Sequence, residues 1–98
     1  MLHNLVDTAA RRLGWQRLSE PPYQQAIDRL FAAYVEWRVE SLAARDAYNR
    51  SAAARGLSGR DAFAVYFAAL DREERAAAEY AACVEEVCAL VSRAGDSS

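Results

Sequence analysis

The sequence predicts an all-α fold: a long antiparallel helical hairpin preceded by a short helix, with two hairpins pairing into a dimeric four-helix bundle. Three observations predict it. Four Gly and two Pro occur in 98 residues, and they stand as punctuation at Gly14, Pro21-Pro22, the stretch Gly56-Leu57-Ser58-Gly59, and Gly95. Between these points lie only helix-forming residues, and no alternation of apolar and polar positions marks a strand. At 53% apolar and 27% charged residues the chain can pack a core, and its length sets that core in a single domain, 1–98.

A first helix is predicted over about 4–13. Asn4 stands as an N-cap, Leu2, Leu5, Val6, Ala9 and Leu13 share one face, and Gly14 offers the C-cap. A second helix runs over about 20–55, with Ser19 as its N-cap and Pro21-Pro22 in a first turn whose missing N–H groups cost nothing. The turn is placed at 56–59. A third helix, opened by the capping-box-like pair Ser58 and Asp61, covers about 59–94 before a frayed tail at 95–98.

Two long helices joined by a short turn lie antiparallel, so facing residue numbers sum to about 114. That register sets Tyr23 against Val91, Ile27 against Val87, Leu30 against Val84, Tyr34 against Tyr80, Trp37 against Ala77, Ala44 against Leu70 and Tyr48 against Tyr66. Each pair is apolar or aromatic, and Trp37 facing Ala77 has the large-to-small complementarity of close packing.

Beside this seam runs a second stripe: Phe31, Val35, Arg38, Leu42 and Arg45 on one helix, Phe67, Glu74, Ala81 and Cys88 on the other. One partner helix covers an arc of about 100°, so the remainder needs another surface. The first helix reaches about 15 Å along a hairpin of about 50 Å. It can shield the neighbourhood of Phe31 but not Phe67. A homodimer, or a helical protein partner, is the expected cover.

Polar residues interrupt the stripes at Arg38, Ser41 and Arg45 and at Glu73 and Glu74. In the register Ser41 faces Glu73 and Arg38 lies near Glu74, so Arg38 and Glu74 are expected to form a buried ion pair, because an unpaired buried charge is costly. The alternative is a polar pocket flanked by Tyr34, Tyr48 and Tyr80 that holds a small anion or a partner's carboxylate.

Other chemistry is disfavoured. Fourteen acidic against twelve basic residues give a net charge of −2, which supplies no global field for nucleic acid or anionic lipid. The carboxylates Glu36, Glu40, Glu73, Glu79, Glu85 and Glu86 lack the Glu-x-x-His step of a bundle metal site, and His3, the only histidine, stands near the N-terminus. No catalytic residue, cofactor or metal is expected. Cys83 and Cys88, five apart, sit about 140° round a helix from each other, the wrong geometry for a mutual disulfide, and read as small buried hydrophobes or free thiols. All basic residues are Arg, Ala supplies about a fifth of the chain, and no apolar segment has signal or membrane-span length. A cytoplasmic protein of a GC-rich bacterium is the expectation.

The plan of about a hundred residues folded as a helix-turn-helix hairpin is similar to the small type VII secreted helical hairpins. Their Trp-x-Gly turn is replaced here by Gly56-Leu57-Ser58-Gly59. The resemblance, confined to shape, implies a secreted partner protein. The stretch from Ile27-Asp28-Arg29-Leu30 to Arg55-Gly56-Leu57 also looks like the first helix of a helical chorismate mutase, but Ser41 and Ala52 stand where that helix carries inner Arg and Lys. A non-enzymatic helical interaction module is the function the residues favour. A ligand-binding or enzymatic bundle around Arg38 and Glu74 is one alternative, and a secreted hairpin the other.

Overall fold

A computed structural model describes residues 2–53 and 58–96, all of them in helices or the bends that join them. Helix α1 spans Leu2–Leu13, α2 Trp15–Leu18, α3 Pro21–Ala53 and α4 Ser58–Asp96. The two long helices pack antiparallel along their length, making a rod whose extents are 64 × 17 × 16 Å.

Local chemistry sets the helix ends, with some differences from the sequence expectations. Helix α1 starts at Leu2, so Asn4 is an interior residue whose carbonyl accepts the Thr8 hydroxyl at 2.8 Å. Asn inside a helix costs well under ~1 kcal/mol, too little to delay the start. Gly14 ends α1 with φ 84°, a conformation open to Gly at no steric cost, and its N–H still reaches the Ala10 carbonyl at 2.7 Å.

The bend releases a separate turn of helix, α2, which the sequence does not announce because four residues carry no periodicity. Ser19 closes α2 instead of opening α3: its hydroxyl donates to the Trp15 carbonyl at 3.2 Å and its N–H to the Gln16 carbonyl at 3.2 Å. The carbonyl of Glu20 accepts the first α3 bond, from the Gln24 N–H at 2.9 Å, and Pro21 takes the first helical position.

At the other end, Gly95 does not stop α4, which runs on to Asp96. A helical Gly costs about 1 kcal/mol, which one terminal residue tolerates. The expected helix end at 55 and the Gly56-Leu57 half of the turn lie outside the described residues. Ser58 is the first residue of α4, and Asp61 sits in its first turn, where a carboxylate complements the helix dipole.

The core divides along the rod. At the open end Ala9, Ala10 and Leu18 pack with Ala26, Ile27, Leu30 and Ala33 of α3 and with Cys83, Val87 and Val91 of α4. Toward the tip the buried cluster is Ala44, Ala47 and Ala69, flanked by half-buried Tyr66 and Leu70. Between Tyr34 and Ala53, and between Arg60 and Ala82, the buried side chains among the described residues are only Ala44, Ala47, Ser51, Ala69 and Ala76. Two helices alone enclose nothing larger than alanine or serine there. Large apolar side chains need a third or fourth helix to be enclosed.

The register matches the sequence expectation. Tyr34 meets Tyr80 edge-on with ring centroids 5.7 Å apart, and Tyr48 meets Tyr66 at 5.4 Å. Trp37 is stacked on Tyr80 at 5.6 Å, one turn from Ala77. Helical side chains lean toward the N-terminus, which carries the Trp37 indole toward the α4 residue that faces position 34.

Candidate interaction face

Two faces of the rod differ in how their charges are satisfied. On one, Arg29 of α3 forks onto Glu86 of α4, with Nε and a terminal nitrogen donating to the two carboxylate oxygens. This fork raises the Arg29 pKa above its ordinary value, chiefly through the hydrogen bond to Glu86. Arg72 of α4 likewise donates to Glu40 of α3 at 3.3 Å. These two cross-helix pairs lie along one edge of the seam.

Residues two apart on a helix project about 200° from each other. Phe31, Leu42 and Glu74, each two positions beyond Arg29, Glu40 and Arg72, therefore leave the rod on its other side. That side is apolar and uncovered. Exposure is 42% at Phe31, 58% at Val35, 56% at Leu42 and 63% at Phe67. Phe63 stacks on Phe67 at 6.4 Å, and Tyr66 lies 5.9 Å from Phe67, so the tip half of α4 presents a cluster of aromatic rings.

Between the stripes runs an open groove of about 490 Å³, lined by residues that include Trp37, Arg38, Ser41, Arg45, Tyr48 and Glu73. The sequence expectation of Arg38 beside Glu74 inside the seam is corrected here. Both residues are exposed, and among the described residues no ion pair links them. Their helix positions lie too far round from the buried line for either side chain to enter it. Glu73, half-buried, is the carboxylate that lines the groove together with Arg38 and Arg45. Tyr34 and Tyr80, expected to flank this level, instead form the aromatic group with Trp37.

Helix α1 bounds the face at the open end. Leu5, Ala9 and Arg12 form a cleft with Cys88, Val91 and Ser92, so α1 sits over the end of the Phe67, Glu74, Ala81, Cys88 line. The remainder of that line is bare. Cys83 is buried and Cys88 exposed, both as free thiols. Burial pushes the Cys83 pKa up, with the nearby carboxylates of Glu79 and Glu86 adding to it, so this thiol is a poor nucleophile. Val39, 55% exposed between Val35 and Leu42, belongs to the outer apolar surface although the stripe read from the sequence omits it. Its signal is the four-residue step from Val35.

Among the described residues no helix is long and apolar enough to cross a membrane, and no three His, Cys, Asp or Glu side chains gather to hold a metal ion. Compared with models of known protein families, with curated proteins and with solved structures, the chain matches none.

Proposed function

We propose that this chain is a non-enzymatic helical interaction module that associates with a second copy of itself through the face carrying Phe31, Val35, Leu42 and Phe67. The observation that carries this reading is the thin core of the tip half, where only alanine and serine are buried while large apolar side chains stand outside. Burying the exposed part of four such side chains, about half of each, contributes roughly 1 kcal/mol apiece, which is large against the total stability of a domain this size. The uncovered stretch from Phe31 to Ala53 is about 33 Å long on a rod 17 Å wide. Side-chain relief on a strip of those dimensions brings it near the ~800 Å² per partner of a stable interface.

A ligand pocket at Arg38, Arg45 and Glu73 is the weaker reading, because the groove is wide open to solvent, whereas small-molecule sites enclose most of their ligand. A surface of mixed charges is compatible with the module in the cytoplasm of a bacterial cell, and a secreted hairpin would use the same face toward its partner.

Chemical unfolding at several protein concentrations tests the reading. A dimer gains stability with concentration, so the midpoint rises as the chain is concentrated, and Leu42→Asp removes that dependence. A midpoint that stays constant over a hundredfold range of protein concentration, and is identical for Leu42→Asp, contradicts self-association.

A further inference from the structure

Resting on self-association as proposed above, we infer a specific arrangement in which Arg38 of each chain pairs with Glu74 of the other across a two-fold axis parallel to the rod. The charges of the molecule point to it. On the paired edge, Arg29 and Arg72 each have a carboxylate on the opposite helix of the same chain. On the apolar face, Arg38 and Arg45 of α3 and Glu73 and Glu74 of α4 have no ion-pair partner among the described residues. The basic pair is on one helix and the acidic pair on the other, so the face is complementary to a copy of itself turned about the long axis.

Such an axis lays α3 of one chain against α4 of its partner with both tips at the same end. Because no translation accompanies a two-fold rotation, levels are inherited from the intrachain register, fixed by Tyr34 on Tyr80 and Tyr48 on Tyr66. Position 38 then stands within one turn of the partner's Glu74. Phe31 and Val35 stand within two residues of the levels of the partner's Ala81 and Ala78, so large side chains fall near small ones. The partner's Phe67 comes level with the gap between Arg45 and Asn49. Reversing one hairpin instead sets α3 against α3, which brings Arg38 beside no acidic residue of the Glu73-Glu74 pair. Charge complementarity therefore selects the tips-together arrangement, and like charges facing each other disfavour the alternative.

Charge reversal tests this arrangement with the full chain. Arg38→Glu and Glu74→Arg each place two like-charge contacts in the symmetric dimer, so each is expected to weaken dimerisation at least tenfold by sedimentation. Mixing the two single variants is expected to restore a dimer of wild-type affinity, because in the mixed species one chain is acidic at both positions and the other basic at both, so each contact again joins opposite charges. The double variant Arg38→Glu/Glu74→Arg restores a homodimer with both contacts opposite in charge. Recovery in the double variant also shows that neither reversal prevents folding. A dimeric parent whose affinity is unchanged by either reversal, or whose double variant fails to recover, overturns the arrangement and leaves self-association standing. A monomeric parent overturns both.

Discussion

Trp37 of α3 lies stacked on Tyr80 of α4, ring centroids 5.6 Å apart and planes inclined by 26°, with Tyr34 edge-on to Tyr80 at 5.7 Å. This aromatic group stands where the large-residue core of the open end gives way to the alanine core of the tip. It bridges the two long helices at that boundary. A double-mutant cycle with Trp37→Ala and Tyr80→Ala is expected to give a coupling of about 0.5–1.5 kcal/mol, the range of favourable aromatic pairs. Additive effects of the two substitutions would show that the rings do not interact.

Leu30 is fully enclosed, at 0% exposure, among residues drawn from both long helices and the N-terminal segment. Leu30→Ala leaves a cavity and should cost about 2–5 kcal/mol in denaturant unfolding. At the tip the core has the opposite sensitivity. Ala44→Leu and Ala69→Leu overfill a helix contact built for small residues and should each cost about 1–3 kcal/mol. A neutral Leu30→Ala would place the core elsewhere.

The two thiols differ in environment, Cys83 buried and Cys88 exposed. Titration with a thiol reagent in the native state should show one fast thiol per chain, abolished by Cys88→Ser, and a second only as fast as the protein opens. Because burial raises the Cys83 pKa above its unfolded value, the associated stabilisation is complete below the unfolded thiol value and is lost as pH rises through the folded one. Cys83→Ala should therefore flatten part of the alkaline decline in stability. Two equally fast thiols would contradict the packing of Cys83 on the α3 seam.

The hairpin and its register are legible in the sequence because facing pairs such as Tyr34 with Tyr80 must be apolar or aromatic along a continuous seam. The outward stripe is legible for the same reason: Phe31, Val35, Leu42 and Phe67 recur at helical spacing away from that seam. Arg38 and Glu74 are misplaced by sequence reasoning because a level along the rod says nothing of the angle around it, and an offset of about 100° per residue decides between seam and surface. Glu73, one residue earlier, is the carboxylate turned toward the groove. Helix α2 and the role of Ser19 escape it because a four-residue helix has no period, and a Ser before Pro-Pro reads equally well as the N-cap of α3.

The most direct measurement of the central claim, that a second copy covers the face carrying Phe31, Val35, Leu42 and Phe67, is the molar mass in solution by size exclusion with light scattering at tens of micromolar. Self-association requires a single species of twice the 10.9 kDa chain mass, shifted toward the single-chain mass by Leu42→Asp or Phe67→Asp. A well-behaved parent of 10.9 kDa at that concentration would contradict it and assign the face to a different protein.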